Sequence, residues 1–189
     1  MTDRTIPTLG TLELSPAAHR PDLLAAPVTA ALSGLRATDD RFTAVGVGPI
    51  DPALADTAAF CAAYEVPLSA SANCVVVTGK RGGDVRWGAA VVLATTRADV
   101  NGALRRRLDV RKLSFAPMDE AVGRTAMEYG GITPIGLPAD WPVFVDSAVV
   151  AAGPVVIGSG IRGSKVVLDG ATLAGLPTAQ VVDGLATPV

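Results

Sequence analysis

The stretch NCVVVTGKRGGDVRWGAAVVLAT, residues 73–95, constrains this chain most. Two apolar runs flank the pair Gly82–Gly83. A glycine pair between two such runs is a hairpin signal, because glycine accepts the positive φ that tight hairpin turns need. The first run, NCVVV, is apolar without alternating polar residues. That pattern predicts a strand buried on both faces, with WGAAVVLAT as the returning strand.

Further elements fit around it. DLLAAPVTAALSGLR places Leu23, Leu24, Val28, Leu32 and Leu35 at helical spacing, with the helix starting near Pro27 and ending by Gly34. FTAVGVGPI reads as a strand. DPALADTAAFCAAYEV reads as a helix whose apolar face carries Leu54, Ala58, Cys61 and Ala62. RADVNGALRRRLDV reads as a helix followed by a short strand at RKLSFA. In PMDEAVGRTAME, Pro117 suits a first helical position, and Asp119 and Glu120 face the positive end of the helix dipole. That helix is expected to stop at Tyr129–Gly130, where glycine can cap it. WPVFVDSAVV, GPVVIGSG and SKVVLDG read as three closely spaced strands, and GATLAGLPTAQVVDGLA as a last helix. Strands that pair locally between single helices predict an α/β (α+β) fold with a mostly antiparallel, mixed sheet. Residues 1–40 are expected to form an arm and helix, and residues 41–189 the domain proper.

Composition narrows the class of function. Hydrophobic residues make up 49% of the 189 residues, which favours a folded core over disorder. The net charge of −2 argues against a dedicated nucleic-acid coat. No apolar signal segment opens the chain and no apolar run approaches membrane-spanning length, so a cytoplasmic location is expected. Two cysteines, Cys61 and Cys74, are too few for a disulfide scaffold.

The usual catalytic side chains are scarce. His19 is the single histidine and lies in the expected arm, which disfavours a Ser-His-Asp triad and a zinc site. No phosphate-binding loop motif is present. Arg97, Arg105, Arg106, Arg107, Arg111 and Lys112 form a basic cluster opposed only by Asp99 and Asp109. On a helix the three consecutive arginines spread over about 200°, at about 100° per residue, so a solvated face is favoured over a phosphate contact. What remains is backbone chemistry. EYGGITPIGLP, residues 128–138, holds three glycines and two prolines around Ile132, Thr133 and Ile135. Glycines let a ligand approach the main chain, and Pro134 holds Thr133 extended, so the segment can present N–H groups at a fixed angle to a carbonyl. A structural turn is the competing reading.

GRTAMEYGGITPIGLPADWPVFVDSAVV, followed by VVIGSGIRGSKVVLDGATL, resembles the YbaK/EbsC family associated with prolyl-tRNA synthetase. The matching elements are the Gly130–Gly136 loop, a strand ending in Asp146, and the turn from Gly158 to Gly163. The resemblance implies a curved, mostly antiparallel mixed sheet surrounded by helices. It also implies hydrolysis of the ester of a mischarged aminoacyl-tRNA carrying a small amino acid, without a metal or other cofactor. Aminoacyl-tRNA is then the partner, with an aminoacyl-tRNA synthetase as a further one and no role for a membrane. Backbone groups of Gly131, Ile132 and Gly136 would serve catalysis. Asn73, Gly130, Thr133, Pro134, Ile135, Asp146, Ser159, Gly160 and Lys165 would bind substrate. Relatives carry a lysine where this chain has Asn73, and an aspartate where it has Ser164–Lys165; Lys165 is the candidate replacement cation. An inactive tRNA- or small-ligand-binding module of the same fold is the alternative, and a plain oligomerising domain a third.

Overall fold

A computed structural model describes residues 5–189. In chain order its strands are β1 (Ser15–Pro16), β2 (Gly46–Pro49), β3 (Ala72–Arg81), β4 (Asp84–Leu93), β5 (Thr96–Ala98), β6 (Lys112–Phe115), β7 (Val143–Asp146), β8 (Pro154–Gly158), β9 (Ser164–Asp169), β10 (Ala179–Val182) and β11 (Ala186–Pro188). The α-helices are α1 (Ala26–Thr38), α2 (Thr57–Ala63), α3 (Arg105–Arg107), α4 (Met118–Thr125), α5 (Ser147–Ala151) and α6 (Gly170–Leu173).

The β3–β4 hairpin organises the larger sheet. Its turn is Gly82–Gly83, at φ +60° and +99°, with Arg81 opposite Asp84. The five strands run in the order β10-β7-β4-β3-β6. β3 pairs antiparallel with β4 and β6, whereas β7 is parallel to both β4 and β10. The second sheet, β1-β2-β9-β8, is antiparallel throughout. A parallel bridge between Ser71 and Val156 joins the two sheets at the foot of β3. β5 and β11 form a short ribbon.

Burial on both faces is fullest on β4, not on β3, where the sequence pattern placed it and where Asn73, Cys74 and Val75 are half-buried beside the open cavity. Val91 and Leu93 enter the largest core cluster, with α1, α5 and the second sheet. Ala90 and Val92, one residue out of phase, enter a second cluster with Leu104, Leu108 and Leu185. A third apolar group lies under α4. There Trp87 and Trp141 stack with centroids 5.2 Å apart and planes 12° apart, beside Val76 and Ala121. The Arg124 guanidinium lies 4.5 Å over the Trp87 ring, within cation–π range.

Several elements depart from the sequence expectation. α1 runs past Gly34 to Thr38; its expected apolar residues Val28 and Leu32 are fully buried in the main core, and Ala17 of the expected arm packs there as well. α2 buries Phe60 and Cys61, while Ala58 and Ala62 face solvent. α4 stops at Thr125, not at Tyr129–Gly130. Thr125 turns its hydroxyl back to the Ala121 carbonyl (2.8 Å) and accepts from Met127 N–H (3.3 Å), and Ala126 takes the left-handed conformation. SAVVA after Asp146 is helix, not strand, because the Asp146 carboxylate caps the Ala148 amide at 2.8 Å. The expected last helix covers only Gly170–Leu173; beyond Pro177 the chain becomes β10 and pairs with β7. RADVNGALRRRLDV begins as β5, makes one wide turn at Val100–Leu104 and ends in the single turn α3. The Asp99 carboxylate holds that turn by accepting from the Gly102 and Ala103 amides.

The burial of α1 has a measurable consequence. Leu32→Ala is expected to destabilise the whole protein by about 2–5 kcal/mol, the usual range for a buried leucine. Urea unfolding followed by circular dichroism measures it; a loss under about 0.5 kcal/mol would mean that α1 is not part of the cooperative core.

Candidate functional site

Residues 128–132 lie directly against the β8–β9 turn, backbone to backbone. The Glu128 amide donates to Gly160 O (2.8 Å) and the Gly160 amide to Gly131 O (2.7 Å). A Cβ on Gly131 would lie 2.6 Å from the Ile161 carbonyl carbon, and one on Gly158 would collide with the carbonyl oxygens of Gly131 and Ile132. Only glycine permits this approach at either position.

The turn itself is braced from inside. The Ser159 and Ser164 hydroxyls are 2.7 Å apart, and Ser164 Oγ donates to the Leu23 carbonyl at 2.6 Å. Outside it, Arg162 acts as a strap. Its backbone N–H donates to a Glu128 carboxylate oxygen (2.7 Å), and its guanidinium reaches the carbonyls of Tyr129 and Pro52, both at 3.1 Å.

This packing forms one wall of an open cavity of about 500 Å³. Gly130 and Ile132 line it from the loop, Asn73 and Cys74 from β3, Gly158 from β8 and Lys165 from β9. Phe115, Met118 and Tyr129 stand at it and are strongly exposed for apolar side chains, at 59%, 52% and 61%. Among the described residues the amides of Gly130 and Ile132 have no acceptor within the protein, whereas the Gly131 amide donates to Glu128 O at 2.9 Å.

The charges of the cavity are few. Lys165 Nζ donates to the Ala55 carbonyl (3.2 Å) and lies 5.2 Å over the Phe60 ring. Burial draws its pKa below the ordinary lysine value, Arg162 adds to this, and Cys61 and Asp56 oppose it. Asn73 Oδ1 accepts from the Thr57 hydroxyl at 2.9 Å. Burial pushes the Cys74 thiol up to about 12, so it is protonated at neutral pH and is a poor nucleophile. Among the described residues no three His, Cys, Asp or Glu side chains come together in a metal-binding group, and His19 is exposed and does not line the cavity.

The residues singled out in the sequence therefore divide. Asn73, Gly130, Ile132 and Lys165 line one cavity. Gly131 sits immediately behind the wall with its amide already used. Gly136, at φ +85°, packs on the Pro27 backbone, away from the lining. Thr133, Pro134 and Ile135 are buried, Ile135 wholly within the main core and not at the cavity edge. Thr133 Oγ1 has no hydrogen-bond partner. Asp146 caps α5 and accepts from the Ala186 amide (3.0 Å), and Ser159 and Gly160 brace the turn. The sequence reading missed Thr57 and Phe115. Thr57 follows the helix-capping Asp56, a visible signal; the exposure of Phe115 left none.

Comparison with known proteins gives this geometry a context. No curated protein matches the sequence significantly. Three solved structures share the fold. A candidate trans-editing enzyme for prolyl-tRNA synthetase superposes with a TM-score of 0.69 at 21% identity, over 90% of this chain and 98% of its own. A hypothetical protein gives 0.68 at 19% identity, over 82% and 97%. A scaffold protein used in computational epitope grafting gives 0.68 at 21% identity, over 93% and 100%. Residues 51–176 match the model of the aminoacyl-tRNA editing domain, and the matched span contains every cavity-lining residue named above. On that match the chain belongs to the aminoacyl-tRNA editing domain family.

Proposed function

We propose that this protein hydrolyses the ester bond of mischarged aminoacyl-tRNA carrying a small amino acid such as alanine or serine, acting in trans to a synthetase. One observation carries the reading: within an editing-domain family member, Gly130 and Ile132, whose amides have no acceptor among the described residues, line one cavity with Lys165. The Gly130 and Ile132 amides are the groups available to polarise the ester carbonyl, because the Gly131 amide is spent on Glu128. Preorganised donors of this kind stabilise the oxygen that gains charge as the carbonyl is attacked.

Water adds to the carbonyl carbon and forms the new C–O bond. The bond to the ribose oxygen then breaks, and the proton lost by water passes to that oxygen. The products are the free amino acid and a tRNA with an intact 3′ end. Lys165 contributes positive charge beside the developing oxyanion. Asn73, held by Thr57, offers a hydrogen bond where relatives are expected to offer a cation. Ser159, Gly160, Asp146 and the Thr133–Gly136 segment act by holding the wall in place. Binding without hydrolysis is the second reading, motivated by asparagine at position 73.

A panel of radiolabelled aminoacyl-tRNAs, followed for ester loss, tests this. Hydrolysis of one or more small-residue esters is expected, and His19→Ala is expected to retain it. Gly158→Ala should remain folded but lose most of the activity, because its methyl group displaces the Gly131 and Ile132 carbonyls. Tight binding with no hydrolysis of any ester would favour the inactive module.

Lys165→Met separates function from stability. It is expected to lower the deacylation rate while raising the melting temperature at neutral pH, since a buried ammonium opposes folding. The folded-state pKa lies below the unfolded one, so the unfolded chain binds more protons between the two values and wild-type stability rises with pH there. The melting advantage of the variant should therefore shrink as pH rises toward the ordinary lysine value. An advantage that grows with pH would contradict the assignment.

A further inference from the structure

Arg105, Arg106 and Arg107 form the single helical turn α3, and Arg106 and Arg107 are exposed there as on a solvated face, but other members of the basic cluster meet elsewhere. Lys80 from β3, Arg105 from the start of α3, and Arg111 and Lys112 from the approach to β6 converge on one open groove of about 740 Å³. None of the four makes an ion pair among the described residues; the nearby Asp109 is taken by Arg81 and Arg86. The wide turn at Val100–Leu104 leads into α3 and sets Arg105 at its start, where its Nε donates to the Asn101 carbonyl at 2.8 Å.

The groove is linked to the candidate ester site through shared lining residues. Asn101 lines it and also a neighbouring hollow of about 400 Å³, which Arg97 and Phe115 line as well. Phe115 in turn lines the cavity that holds Lys165. Five cations thus line adjoining hollows at the β6 edge, the second of which shares an exposed aromatic ring with the cavity, in a chain whose net charge is −2. Lysines on an edge strand such as β6 also discourage strand pairing. That device does not account for Arg97 and Arg105, which come from other elements to the same path.

We infer that this edge of the molecule is the docking track for the acceptor strand of RNA, with its phosphates along Arg97, Arg105, Arg111, Lys112 and Lys80 and its terminal base stacked on Phe115. Cations matched to phosphates and an exposed ring matched to an unpaired base are the two elements of single-strand recognition. The inference rests on the deacylase reading for its direction into the cavity, but its test does not require hydrolysis.

The probes are an uncharged tRNA and the same tRNA lacking its terminal adenosine, titrated at several salt concentrations. The triple variant Arg105→Gln/Arg111→Gln/Lys112→Gln is expected to bind the full tRNA at least about tenfold more weakly at low salt, with a log–log salt slope shallower by about 2–3, as loss of three phosphate contacts requires. Phe115→Ala should keep the wild-type slope and lose the preference for tRNA with its terminal adenosine. Arg106→Gln/Arg107→Gln removes two cations of the same segment that do not line the groove, and should change the slope by less than one. Equal slopes for the triple variant and wild type overturn the track, as does equal weakening per charge in the control variant. If wild type deacylates while the triple variant keeps its slope, the track alone has failed. If the track responds as expected and no ester is cleaved, the deacylase reading alone has failed.

Discussion

The contact between the Gly130–Ile132 backbone and the β8–β9 turn is the constraint on which the site depends. It is a main-chain contact with no side chain between the two segments, held by the Gly160–Gly131 hydrogen bond and closed from outside by Arg162. The contact engages the Gly131 carbonyl, while the Gly131 amide turns back to the Glu128 carbonyl; the flanking Gly130 and Ile132 line the cavity. The serine pair at Ser159 and Ser164 sits behind the contact and ties the turn to Leu23. The N-terminal segment, through Leu23 and Ala25, is therefore part of the support of the site although it lies outside the matched family span.

Lys165 illustrates a tension in such a cavity. An ammonium far enough inside to meet a substrate carbonyl is also partly stripped of water, and Ala55 O and the Phe60 ring offset only part of that loss. A lysine is a costly residue to place beside an apolar wall of Val156 and Ile157 unless something other than stability retains it. Asn73, one strand away, makes a neutral bond with Thr57. The positive charge of the site has one source where two elements could have supplied it.

The hairpin was legible because a glycine pair between two apolar runs acts locally. The glycine–proline loop was legible for the same reason, as a place where backbone must be approached closely. Which of its amides remain available was not, because the Gly131 amide is taken by a local turn back to the Glu128 carbonyl, in a segment whose shape is set by the distant β8–β9 turn. Helix ends were misread where a side chain intervenes: Thr125 ends α4 early, and Asp146 starts α5 inside an apolar run that looks like a strand. α1 was read as peripheral because its leucines carry no mark of what covers them. The solvated face was legible in Arg106 and Arg107, which are exposed on α3; the groove that Arg105 shares with Lys80, Arg111 and Lys112 was not, because it depends on the wide turn before α3 that Asp99 stabilises.

The paired indoles under α4 carry a consequence of their own. They are the chain's two tryptophans, so its ultraviolet emission comes from a single stacked unit beneath the guanidinium of Arg124. The same helix presents Met118 and Ala121 to the cavity. A cation over an indole perturbs its excited state, and the overlap of two rings couples their transitions. Any shift of this helix as a substrate enters would alter both effects together. The protein thus contains an intrinsic optical reporter of whether its cavity is occupied, without any label being attached.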